Sequence, residues 1–221
     1  YTDFLFRWMH IAFGILWIGL LYYFNFVQTE YFKEAEADAR KDALQKLAPR
    51  ALFYFRWAAA LTFLTGAVLL VFIAHKSGGF QLGNLSLDIT LGALMGTIMM
   101  LNVWLIIWPN QRKVIAGAAD AAQAAPKAAI ASRTNTLLSL PMLYFMVSSA
   151  HQTQGSLFAY NSVDGIAGVS TVALLATLAI ITLLEANAIW MRKMGPMASV
   201  AGVIHSSIGL TVVMALAVNY L

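Results

Sequence analysis

Four histidines, His10, His75, His151 and His205, are the side chains of this 221-residue sequence best suited to hold a metal, because it contains no cysteine. That absence removes disulfides, thiolate chemistry, iron–sulfur ligation and covalently attached c-type haem from the chain. A metal must therefore rest on His, Met, carboxylate or backbone. Neutral imidazole is the usual ligand for haem iron or copper, and facing helices of a bundle can supply two such rings. His10 lies about six positions, roughly 9 Å, inside the apolar stretch Phe4 to Gln28, where an ionisable group points to function. The plainer expectation for each ring is a hydrogen-bonded group at an interface or in the core. It fits His75, which borders a Gly-rich turn, better than His10.

Two arginines stand at matching places in a weak repeat, Phe4-Leu-Phe-Arg7-Trp8 and Phe53-Tyr-Phe-Arg56-Trp57. Either they are anchors whose heads snorkel to the interface, or each meets an anion such as a cofactor propionate. Glu185 is expected to form a helix-end ion pair with Arg192 or Arg56, and Asn102 and Asn135 to hydrogen-bond between helices. Met95, Met99, Met100, Met142 and Met146 read as packing. Glycines at 14, 19, 66, 92, 96, 168, 202 and 209 would let helices approach closely. No phosphate loop, nucleophile elbow or His-Glu-x-x-His is present, so nucleotide-dependent and soluble hydrolase chemistry has no support, and no catalytic residue is assigned.

The elements that must position these residues are membrane helices. With 60% hydrophobic and 11% charged residues and a mean hydropathy of +0.72, the chain fits an all-α polytopic bundle folding as one domain over residues 1–221. Six spans are expected, at about 4–28, 51–74, 85–108, 134–150, 166–189 and 197–220, since about 20 apolar residues cross a hydrocarbon core of about 30 Å. The first is the element around which the others are read. Between the spans, 29–50 is a charged helical segment ending near Pro49, and 109–133 is an interfacial helix broken at Pro126. Pro141 should bend the fourth span and leave backbone groups for its neighbours to satisfy.

Lys and Arg fill the first, third and fifth loops, whereas the second has only Lys76 and the fourth none. By the positive-inside rule both termini face outside. The net charge of +4 is thus spent on orientation rather than on nucleic acid or another acidic partner. On this topology His10, His75 and His151 lie toward the outer face, and His205 lies near the middle of the bilayer.

Several blocks resemble one family. Arg7-Trp-Met-His10 with Gly14, Trp17-Ile-Gly19 and Tyr22-Tyr-Phe24, then Phe55-Arg-Trp57 with Leu64-Thr-Gly66, Trp108-Pro-Asn-Gln-Arg-Lys113, Ser132-Arg-x-Asn135, Ser139-Leu-Pro141 and Met146-x-x-Ser149 resemble the amino-terminal membrane domain of bacterial membrane-bound urate oxidase (urate hydroxylase), over residues 4–151. The resemblance implies a membrane oxidoreductase or electron-transfer subunit of cytochrome-linked urate oxidation, acting on a purine-like substrate. It would pass electrons to a periplasmic c-type cytochrome or a quinone. Haem b is the implied cofactor, with His10 as axial ligand, His151 as its partner, and His75 or His205 as alternatives. Arg7 and Arg56 would meet propionates, and Trp8 or Trp17 would wall the ring. The other class of function is a cofactor-free accessory subunit packed in the lipid bilayer against a larger respiratory, photosynthetic or monooxygenase complex.

Overall fold

The computed structural model describes residues 1–75, 85–151 and 170–221, and every long element among them is helical. The expected turn at 76–84, most of the polar loop at 151–165 and the first residues of the fifth span lie outside the described residues. Helix α1 (Thr2–Tyr22) runs through a π-helical stretch, Tyr23–Gln28, into α2 (Thr29–Glu34). The chain breaks at Ala35, which is extended, and α3 (Ala37–Asp42) then continues through π-helical Ala43–Leu47 into α4 (Ala48–Ala74). Helix α5 (Leu87–Leu101) leads through π-helical Asn102–Ile107 into α6 (Trp108–Ile115). Helix α7 spans Ala121–His151, α8 Thr171–Ala186 with π-helical Asn187–Met191, and α9 Val200–Tyr220 after a 3₁₀ turn at Gly195–Ala198.

Five of these continuous helices, Thr2–Glu34, Ala37–Ala74, Leu87–Ile115, Thr171–Met191 and Val200–Tyr220, are long and apolar enough to cross a membrane, compatible with a multi-pass membrane protein. The expected fourth span lies inside α7, which is not among the five because it carries Arg133 and a run of Thr, Asn and Ser. Those residues are tolerated because α7 is surrounded by protein: it packs on α5, α6, α9 and α1, and Arg133, Thr134, Asn135, Thr136 and Ser139 are all buried. A polar residue faces the bundle interior when the alternative is hydrocarbon. The organising helix is therefore α7 and not α1, which turns Phe4, Leu5, Ile11, Ile15 and Leu16 outward and buries only Trp17, Ile18 and Leu21.

Two further expectations change. Pro49 does not end a helix but sits in the first turn of α4, inside the continuous helix Ala37–Ala74. Pro126 does not break one either. The break before α7 falls at Gly117, whose φ of 62° suits glycine, while α7 passes through Pro126. Pro126 deprives only the carbonyl of Ala122 of its helical donor, and both residues are exposed at the start of α7. In the turn between α6 and α7 the Lys113 ammonium lies 2.6 Å from Asp120, and this hydrogen bond holds the exposed carboxyl below its ordinary pKa.

Helices α1 and α4 are antiparallel neighbours, as the ring pairs Phe6–Phe72 at 6.0 Å and Phe24–Phe55 at 5.4 Å show. Phe6, Phe72 and the end of α7 thus mark one end of the bundle, called outer below, and Phe24, Phe55 and Asn102 the other. The core between them is built from Phe55, Leu91, Met95, Met99, Leu138, Met142 and Phe145. Lipid tails are as apolar as these side chains, so close packing and interhelical hydrogen bonds hold such a bundle together. Gly92 illustrates the closeness: a Cβ there would lie 3.2 Å from the backbone nitrogen of Met146. Gly19 and Gly209, by contrast, face open space.

Candidate functional site

His10 occupies a niche on α4. Its Nδ1 is 2.9 Å from the carbonyl oxygen of Thr62 and 3.2 Å from Thr65 Oγ1. A carbonyl only accepts, so Nδ1 carries the proton and donates it. Thr65 in turn donates its hydroxyl proton to the Leu61 carbonyl at 2.7 Å or that of Thr62 at 3.0 Å, which leaves its oxygen lone pair for the imidazole. The second ring nitrogen, Nε2, is consequently the bare one and has no hydrogen-bond partner among the described residues. Gly66 completes the niche, since a Cβ there would come within 2.9 Å of His10 Cε1. Residues 62, 65 and 66 share one face of α4 at helical spacing. That spacing is the signal by which Thr62 and Thr65 could have been found in the sequence.

Gly14 and Trp17 continue the same stripe of α1, four and seven positions beyond His10. Trp17 is 2% exposed, and its indole Nε1 is buried with no acceptor among the described residues. Trp8 lies two positions from His10, about 200° around the helix, and is 60% exposed. Arg7 is exposed and paired with Asp3 at 3.2 Å.

The other histidines stand apart. His75 caps the end of α4, and its Nδ1 bonds the Val71 carbonyl at 2.9 Å; His151 ends α7 and bonds the Val147 carbonyl at 2.9 Å. Both are exposed at the outer end. From Gly66, beside His10, to His75 is nine residues of α4, roughly 13 Å along the axis. Close to His151, Ser148 donates to the buried carboxylate of Asp88 at 2.7 Å, a residue the sequence reading passed over. His205 is exposed on α9 between the buried Val203 and Ser207. Among the described residues no three His, Asp or Glu side chains converge on a metal position.

A second polar cluster lies at the inner end. Asn102 Nδ2 donates to Asn135 Oδ1 and to Glu185 Oε2, both at 3.0 Å, and Asn135 Nδ2 donates to the Met99 carbonyl at 2.8 Å. The interhelical role expected of both asparagines holds. Glu185, however, pairs with neither Arg192 nor Arg56: its Oε2 accepts from Asn102, while Arg192 Nε donates to the Ile189 carbonyl and the Arg56 guanidinium lies on the Trp108 ring. These bonds sit where the backbone changes pitch: when the ladder widens from i−4 to i−5, a carbonyl at the switch loses its regular donor. Asn25 repairs the corresponding place in α1, donating to Leu21 O at 2.9 Å and Ser132 Oγ at 2.8 Å, and Thr29 Oγ1 donates to Phe24 O at 2.7 Å. Nearby Arg133 is 5% exposed, and among the described residues neither its Nη1 nor the buried Thr134 Oγ1 has a hydrogen-bond partner.

Arg56 lies six residues before Thr62 on α4, so it belongs to this inner end and is about 9 Å from the His10 niche. Its guanidinium carbon is 4.0 Å from the centre of the Trp108 ring and between 5.7 and 5.9 Å from the rings of Phe53, Trp57 and Trp104.

No curated protein and no solved structure shows significant similarity to the chain. A family model does match, described as the N-terminal domain of urate oxidase, over residues 84–205. The match begins after the His10 niche and covers α5 to the second turn of α9, so it includes the Asn102–Asn135–Glu185 cluster, His151 and His205. It also extends well past residue 151, the end of the blocks that carry the resemblance. Covering more than half of the sequence, it establishes that this chain belongs to the urate oxidase N-terminal family.

Proposed function

We propose that the chain is a membrane-embedded redox module related to cytochrome-linked urate oxidation, with six spans, both termini on the periplasmic side of a bacterial inner membrane, and haem b held near the outer half through His10. The observation that carries this reading is the state of the His10 ring. Its Nδ1–H is committed to an acceptor-only carbonyl, which leaves the Nε2 lone pair available, and a hydrogen bond from the non-ligating nitrogen to a backbone carbonyl is how protein scaffolds orient ligating imidazoles. The orphan Trp17 Nε1 on the same stripe fits an acceptor group bound there. Trp17 would wall the ring and Arg7, three residues from His10, would meet a propionate. His151 would supply the second ligand, with His75 and His205 as alternatives. When bound, haem b supplies one-electron transfer whose potential is set by its axial ligands and their hydrogen bonds. The chain's own contribution is to fix the tautomer of His10, exclude water from the α1–α4 interface and present the group toward a periplasmic c-type cytochrome or quinone.

The test is a pyridine haemochrome and reduced-minus-oxidised spectrum of the chain purified with haem available, beside His10→Ala and His151→Ala. A Soret band lost in His10→Ala and shifted or weakened in His151→Ala is expected. Wild-type protein without a Soret band, or a normal band in both variants, would overturn the ligand assignment in favour of a cofactor-free subunit of a larger complex.

A further inference from the structure

Among the described residues the cation at the inner end of α4 has no counter-charge. Among the described residues the four ion pairs engage Arg7, Lys33, Lys46 and Lys113, and none engages Arg56 or Arg112. Yet these two guanidiniums converge on one indole: Arg56 lies 4.0 Å and Arg112 5.8 Å from the centre of the Trp108 ring. Two positive charges sharing a ring repel each other, and the π-face attracts each cation without neutralising either. Arg56 Nε is in addition buried with no acceptor among the described residues, so one edge of its donor fork is unspent. Its backbone is held in place, because Trp104 Nε1 donates to the Arg56 carbonyl at 3.1 Å and stacks edge-on with Trp57 at 5.4 Å.

We propose that Arg56, Arg112 and Trp108 form a binding site for the phosphate of an anionic phospholipid headgroup in the inner leaflet. Guanidinium donors match phosphate oxygens in planar, bidentate geometry, and two of them can clamp one phosphodiester. The depth is right: Arg56 is a few residues inside the start of the second expected span, Trp108 ends the third, and Trp rings settle at headgroup level. Phe53 and Trp57 are about half exposed beside the guanidinium and offer an apolar flank for the glycerol backbone and upper acyl chain. A net negative headgroup is favoured over a zwitterionic one, because the choline of phosphatidylcholine would bring a third cation to a place already holding two. The site is independent of haem binding at His10.

Native mass spectrometry of the full chain, released from nanodiscs of equal phosphatidylglycerol and phosphatidylcholine, tests it. At about 1 kcal/mol per basic residue near the surface, Arg56→Gln and Arg112→Gln should each lower retention of phosphatidylglycerol about fivefold. Arg192→Gln, which removes an exposed cation elsewhere, should change it by less than about twofold. Arg112 is exposed, so its variant remains decisive if Arg56→Gln fails to fold. Equal retention of both lipids by the wild type, an unchanged Arg112→Gln, or the same loss in Arg192→Gln would overturn the proposal. So would displacement of the lipid by excess inorganic phosphate, which would reassign the site to a free anion.

Discussion

Removing the Ser207 hydroxyl should expose how α7 tolerates a proline in its middle. Pro141 has no N–H, so the carbonyl four residues earlier, Leu137, has no helical donor. Ser207 Oγ of α9 donates to it at 2.7 Å, and both residues are buried. In Ser207→Ala that acceptor is left unpaired in a dry interface. An unsatisfied buried acceptor costs about 1–3 kcal/mol, but interhelical hydrogen bonds measured in membrane proteins average only about 0.6 and reach about 1.7. A loss of about 1 kcal/mol is therefore expected. If the cause is the missing proline donor, the same substitution made on top of Pro141→Ala should cost much less, because the new residue 141 N–H can complete the ladder. The coupling between the two positions should be at least about 0.5 kcal/mol, beyond the usual scatter of independent sites. The four proteins would be compared by reversible unfolding in mixed detergent micelles or by steric trapping in bicelles. Equal Ser207→Ala costs in both backgrounds, or no cost in the wild type, would refute the reasoning.

The His10 niche makes its own prediction: Gly66→Ala places a methyl within 2.9 Å of Cε1 while Nδ1 is anchored to Thr62, so it should destabilise by about 1–3 kcal/mol and disturb the imidazole ¹⁵N shifts, whereas Gly19→Ala, facing open space, should do neither. Asn135→Ala removes the donor to Met99 O and the acceptor of Asn102 together; a loss of about 1–3 kcal/mol in the same unfolding assay is expected, and a loss below about 0.5 would mean the cluster is not structural. The proposed topology predicts that cysteines introduced at Ser77 and Gln123 react with impermeant maleimide from opposite sides of sealed vesicles; reaction of both from one side rules it out.

Helix placement was largely legible in the chain because it depends on runs of apolar residues and on where the charges fall, both local properties. The expected stretches 51–74, 85–108 and 197–220 coincide largely with parts of the helices Ala37–Ala74, Leu87–Ile115 and Val200–Tyr220, which are long and apolar enough to cross a membrane, and the interhelical bonding of Asn102 and Asn135 follows from the need of buried amides for partners on neighbouring helices. Proline and glycine were harder. Pro49, Pro126 and Pro141 look alike in sequence, but what each does depends on whether the carbonyl it orphans meets water, as at Ala122, or a hydroxyl from another helix, as at Leu137. No local pattern specifies that partner, since Ser207 is 70 residues away. The same holds for the site. That His10 lies deep in an apolar stretch and needs a partner is written in the spacing of α1, but which nitrogen keeps its lone pair was decided by the Thr62 carbonyl, 52 residues on. Likewise Arg7 and Arg56 read as a repeated anchor, and only the packing of α4 against the start of α6 gives them different surroundings: Arg7 beside Asp3 in the open, Arg56 against Trp108 with no carboxylate partner among the described residues. Sequence sets which groups must be satisfied; the fold, by bringing distant backbone and rings together, chooses what satisfies them.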